Sequence, residues 1–82
     1  MGKLLDFETT EKGYRPISPN RESLKENIGK IICYVDYVEP YRGTYFVRYG
    51  RIHSVKRNTL HLDDGEKTVH IKSIKEAGIK ID

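Results

Sequence analysis

From Lys30 onward, apolar side chains fall on alternate positions, and this period of two persists almost to the end of the chain. Alternation sends successive side chains to opposite faces of an extended backbone, so such a run folds as strands rather than helices. "KIICYVDYVE" places Ile31, Cys33, Val35 and Tyr37 on one face. Ile32, Tyr34, Asp36 and Val38 occupy the other, which predicts a strand covered on part of both sides. "EPYRG" predicts a turn, with Pro40 fixing φ and Gly43 free to adopt conformations closed to other residues. "TYFVRY" and "RIHSVK" follow as the second and third strands, and Gly50 between them marks a bulge or sharp bend. "TLHLD" and "KTVHIK" are the fourth and fifth, joined by Asp64-Gly65, the strongest hairpin signal in the chain. Counting outward from that turn sets Thr68 opposite His61.

The flanks obey other rules. Residues 1–17 show no sustained period and predict an extended arm anchored by Leu4, Leu5 and Phe7. Ser18-Pro19 predicts a helix start, Leu24 and Ile28 share one helical face, and Gly29 suits a left-handed stop. A helix over 19–28 is therefore expected, capping one mouth of the sheet. Ser73 and Glu76 form a capping-box pattern for one helical turn before Gly78, and "IKI" resumes alternation as a last short strand. An isolated ribbon of such strands leaves its edges open, and closure into a small barrel removes them. The expected fold is mainly β: a small barrel domain over 18–82, built from five to six antiparallel strands behind an N-terminal arm.

This layout resembles SH3-like small barrels, in which a short 3₁₀ turn precedes the last strand. Within it, "RGTYFVRYGRIHSVKRNTLHLDDG" (residues 42–65) is similar to the KOW pattern of ribosomal and transcription-factor barrels, with a glycine ahead of alternating apolar positions. The matching positions are Gly50, Ile52, Val55, Leu60 and Leu62. The resemblance implies a barrel that serves as a binding module.

Several functional classes fall away. Leu4-Leu5, ended by Asp6, is too short for a signal peptide or a bilayer span. Met1-Gly2 is no myristoylation start, because Asp6 stands where Ser or Thr is required. Cys33 is the one cysteine, so no intramolecular disulfide framework exists, which fits a reducing, cytoplasmic setting. Alternating with Ile31 and Val35, it reads as a core residue and not a nucleophile. His53, His61 and His70 lie on consecutive strands, but no acid or cysteine joins His61 and its diagonal neighbour His70 into a metal site. His53 falls opposite Leu62 and points inward unless a bulge intervenes. With no Ser-His-Asp order and no glycine-rich phosphate loop, no catalytic residue, metal or cofactor is expected.

The functional lead is the distribution of charge. The chain carries a net +3, yet between Glu39 and Asp63 there is no acid at all. Arg42, Arg48, Arg51, Lys56 and Arg57 give that stretch +5, leaving −2 for the rest. If Val47 faces the core, Tyr45 and Tyr49 do too, while Phe46 and Arg48 face out and Tyr41 sits in the turn. Exposed rings beside guanidinium groups stack on bases while the cations hold phosphates. The expectation is therefore a non-enzymatic module that binds nucleic acid, RNA or a ribonucleoprotein, through Tyr41, Arg42, Phe46, Arg48, Arg51, Lys56 and Arg57. The alternative is a protein-interaction adaptor, such as an accessory factor of a phage or mobile element, because the same residue types dominate protein hot spots. Either form is expected as a monomer or weak homodimer, away from membranes.

Overall fold

In the computed structural model, residues 4–5, 13–41 and 43–81 are described. Six strands form one antiparallel sheet in the order β1-β6-β2-β3-β4-β5. They are β1 (Tyr14–Ile17), β2 (Ile31–Val38), β3 (Tyr45–Lys56), β4 (Thr59–Leu62), β5 (Lys67–His70) and β6 (Glu76–Lys80), with helix α1 (Arg21–Glu26) between β1 and β2. Short 3₁₀ turns occupy Asp63–Gly65 and Ile71–Ser73, the second just ahead of the last strand. The sheet is not closed: β1 and β5 stand at its two ends, and no ladder joins them among the described residues.

The two strands expected on either side of Gly50 are one strand of 12 residues. Its first half pairs with β2 and its second half with β4, so β3 carries the bend of the sheet. Packing is close at Gly50: a Cβ there would lie 3.1 Å from Leu62 Cδ1, so the leucine side chain would have to shift to admit it. The β3–β4 register shifts between Ile52 and Ser54. This bulge buries both Ile52 and Val55 and turns His53 outward.

A second irregularity corrects the simple alternation of β2. Val35 pairs with Val47 but Val38 pairs with Tyr45, so Asp36 and Tyr37 together oppose Phe46. The extra residue carries Tyr37 onto the face of Tyr34 and Asp36. It carries Val38 onto the face of Cys33 and Val35.

Each face of the sheet has its own apolar cluster. Ile32, Tyr34, Ile52, Leu60, Leu62, Ala77 and Ile79 pack with Leu24 of α1 and with Ile71 and Ile74. On the other face, Cys33 and Val35 pack with Leu5, flanked by Leu4, Tyr14, Val38, Tyr45 and Val47. Cys33 is fully buried, as its alternation predicts. The backbone N–H groups of Leu4 and Leu5 donate to the two carboxylate oxygens of Glu76, which fixes this part of the arm. Glu76 is thus an anchor for the arm and not the end of a capping box. Phe7 lies outside the described residues.

The helix is shorter than 19–28. Asn20 is the N-cap, its Oδ1 accepting from the Ser23 N–H at 2.9 Å, so the start moves two residues past Ser18. Leu24 is fully buried, but Ile28 lies beyond the last turn and stays half exposed. Gly29 takes the expected left-handed conformation, φ 92°. Ahead of the helix, Tyr14–Ile17 is a true strand, paired with Ala77–Lys80, where only an arm was expected.

Candidate nucleic-acid interface

The seven residues singled out by sequence do not share one wall. Within the regular β2–β3 ladder Arg48 lies opposite Tyr34, and its Nε donates to Asp36 Oδ1 at 2.9 Å. Arg51 lies opposite Ile31, three residues further on, and an odd separation along a strand means the opposite face. Lys56 and Arg57 stand exposed at the β3–β4 turn, beyond the bend and the bulge that separate them along β3 from Arg48. Phe46 is half exposed and stacks on Tyr37, with ring centroids 5.8 Å apart and planes at 24°. Tyr41 is 96% exposed at the hairpin tip. Arg42 lies outside the described residues. Tyr45 and Val47 pack inward as expected, whereas Tyr49 remains about half exposed against the Tyr14 ring.

Two cations that the sequence reading passed over gather instead around Arg51. Lys30 stands immediately before β2 and Lys80 ends β6. Ile31 pairs with Arg51, and one step along the same strand Ile32 pairs with Ile79, the neighbour of Lys80. The row Lys80, Ile31, Arg51 therefore crosses three strands on a single face. With Lys30 and Gly29 these residues line a hollow of about 290 Å³ that, among the described residues, holds three cations and no acid. The Arg51 guanidinium is fixed there, its Nη1 donating to the Gly29 carbonyl at 2.6 Å. Continuing the row, Tyr14 pairs with Lys80, and the Tyr14 ring meets that of Tyr49 at 5.9 Å, tilted by 57°. The two strands that bear these rings are three sheet spacings apart.

On its other flank Arg51 borders a hollow of about 440 Å³ of opposite character, lined by His53, Asp63, Asp64 and Glu66 with Ile28, Gly29 and Ile52. Asp63 Oδ1 accepts from the Arg51 backbone N–H at 3.1 Å, and Oδ2 pairs with Lys67 Nζ at 3.3 Å. The Arg51 N–H first, then Lys67, hold the Asp63 carboxyl below its ordinary range. The acids expected at a simple hairpin turn thus support the 3₁₀ turn and the end of the β3–β4 ladder. The ladder beyond keeps the expected register, with His61 opposite Thr68. Burial, and secondarily Asp36, raises the Tyr34 phenol above its ordinary value.

Among the described residues no group of three or more His, Cys, Asp or Glu side chains is placed to hold a metal, and no helix is long and apolar enough to cross a membrane. No family model matches the chain, and neither a curated protein nor a solved structure matches it.

Proposed function

We propose that the protein is a non-enzymatic nucleic-acid-binding module, with RNA or a ribonucleoprotein as partner, that grips phosphates in the hollow between Lys30, Arg51 and Lys80. The observation that carries this reading is the convergence of three cations, from just ahead of β2, from β3 and from the end of β6, on one concavity whose lining contains no acid among the described residues. A guanidinium fork matches a phosphate by two parallel hydrogen bonds, and the two ammonium groups add charge without further geometry. Because Gly29 already holds Arg51 in place, little side-chain entropy is lost on binding. The Tyr14–Tyr49 ring pair lies beside the hollow and supplies aromatic surface of the kind on which bases stack. In this reading Lys56 and Arg57 reach the same backbone from the far turn, while Arg48, Tyr41 and Phe46 belong to another surface. The bent β3 and the 3₁₀ turn before β6 support placing the fold with SH3-like, KOW-like small barrels.

Fluorescence anisotropy with a short mixed-sequence single-stranded RNA tests the assignment. The three cations of the hollow by themselves predict an affinity loss of roughly 20-fold between about 50 and 200 mM salt, and contacts from Lys56 and Arg57 steepen it to about 100-fold. Lys30→Glu with Lys80→Glu should weaken binding more than about tenfold, whereas Arg48→Glu should change it less than about twofold. Unaltered binding by the Lys30/Lys80 variant sinks the proposal. Silence toward RNA, with one defined polypeptide co-purifying, moves the assignment to a protein-interaction adaptor.

A further inference from the structure

The sheet has unlike edges. The outer edge of β1 contains Pro16, which has no N–H to offer, beside Arg15. The outer edge of β5 is four residues long and begins with Lys67. Proline, lysine and shortness are the usual guards against strand addition. A third edge has none of them. Because β4 ends at Leu62, opposite Ile52, no described strand pairs with the outer side of β3 over Tyr45–Gly50. The Ile52 N–H donates to Lys30 and the Thr44 carbonyl accepts from Glu39, so even-numbered residues of β3 direct their backbone groups toward β2. The N–H and C=O groups of Tyr45 and Val47 therefore point outward, without a partner among the described residues. Beside them Phe46 is half exposed, and Arg48, the one charge on this stretch, is already paired with Asp36.

We propose that this edge joins the same edge of a second copy, antiparallel about a two-fold axis at Phe46, to form a homodimer. Tyr45 then exchanges both backbone hydrogen bonds with Val47 of the second copy, and Val47 with its Tyr45, four bonds in all. Phe46 faces its own copy in a non-hydrogen-bonded pair, the position where side chains approach closest, at a Cα separation of about 4.5 Å. The two Tyr37–Phe46 stacks merge into a cluster of four rings, and cross-strand aromatic pairs of this kind stabilise a sheet. Arg48 lands opposite Thr44 of the second copy, whose hydroxyl is bonded to the Glu39 carboxylate, so unlike charges approach across the seam. Moving the axis to Arg48 would set two guanidinium groups face to face. Moving it to Val47 would part the phenylalanines. A peptide of unrelated sequence would supply the strand but not the second ring pair. The ladder is short, so the dimer is a weak one, with a dissociation constant of about 10 μM to 1 mM.

Sedimentation across that concentration range should show the average mass rising from 9.5 kDa toward twice that value. Phe46→Lys should hold the protein at monomer mass with unchanged circular dichroism. Cysteine variants test the register even if that substitution perturbs folding, since Cys33 is buried and does not compete. Under mild oxidation Phe46→Cys should cross-link to itself, Thr44→Cys alone should not, and Thr44→Cys mixed with Arg48→Cys should. The proposal fails if the wild type stays monomeric at millimolar concentration, if a folded Phe46→Lys variant associates equally well, or if Thr44→Cys self-links as fast as Phe46→Cys.

Discussion

The two faces of the sheet are sealed by different means. On one, aliphatic side chains from β2, β3, β4 and β6 interlock with Leu24 and with the turn residues Ile71 and Ile74. On the other, Cys33 and Val35 are closed over by Leu5 and its neighbours, and two N–H groups on Glu76 hold that segment down. The first face is a core in the ordinary sense, distributed over many long-range contacts. The second is a lid held, among the described residues, by one carboxylate and a few apolar contacts. Cooperative folding should therefore reside in the first face, and local opening in the second.

Truncation separates them most sharply. Leu60→Ala, at a fully buried position of the first face, should cost about 2–5 kcal/mol in chemical denaturation. Leu5→Ala should cost about half as much, because the lid can lift while the sheet stays folded. Equal costs would mean that both faces belong to one cooperative unit. The next effect is smaller. Glu76→Gln weakens the charge-assisted bonds to the arm by about 1 kcal/mol, so labelling of buried Cys33 by a thiol reagent should quicken roughly fivefold. Unchanged labelling would place the lid's strength in its leucines alone. The smallest effect is in acid. Asp63 titrates below the ordinary carboxylate range when folded, so its contribution is complete above that range and is lost as pH falls through the lowered value. Asp63→Asn should flatten this part of the stability profile, and a profile that keeps its slope would remove Asp63 from the acid transition.

Local chemistry made much of the fold legible. Alternation located β2, the Asp64-Gly65 signal fixed the His61–Thr68 register, and Gly50 marked the bend, because each depends on residues close in the chain. What escaped depends on distant pairing or on a single inserted residue. Tyr14–Ile17 has no strand signature of its own and becomes one by adding to β6, sixty or more positions away. The bulge at Asp36-Tyr37 reverses the faces of two residues, and only the register with β3 reveals it. The basic hollow was hidden for the same reason. Arg51 was evident in the acid-free stretch, but Lys30 and Lys80 lie far from it on either side in the chain and meet it only through sheet order. The acid-free stretch itself was a property of sequence, and strand alternation with a 12-residue span divided its cations between faces and ends.

One side chain also decides how far β3 can be extended by an outside strand. After Val47 and Tyr49, the next outward amide along β3 belongs to Arg51, and the Asp63 carboxylate occupies it. The acid thus closes that end of the edge to any outside strand. In the register centred on Phe46, Arg51 would face Tyr41 of the second copy, in the turn ahead of its β3, so the ladder stops short of the carboxylate and the pairing stays closed about its two-fold axis.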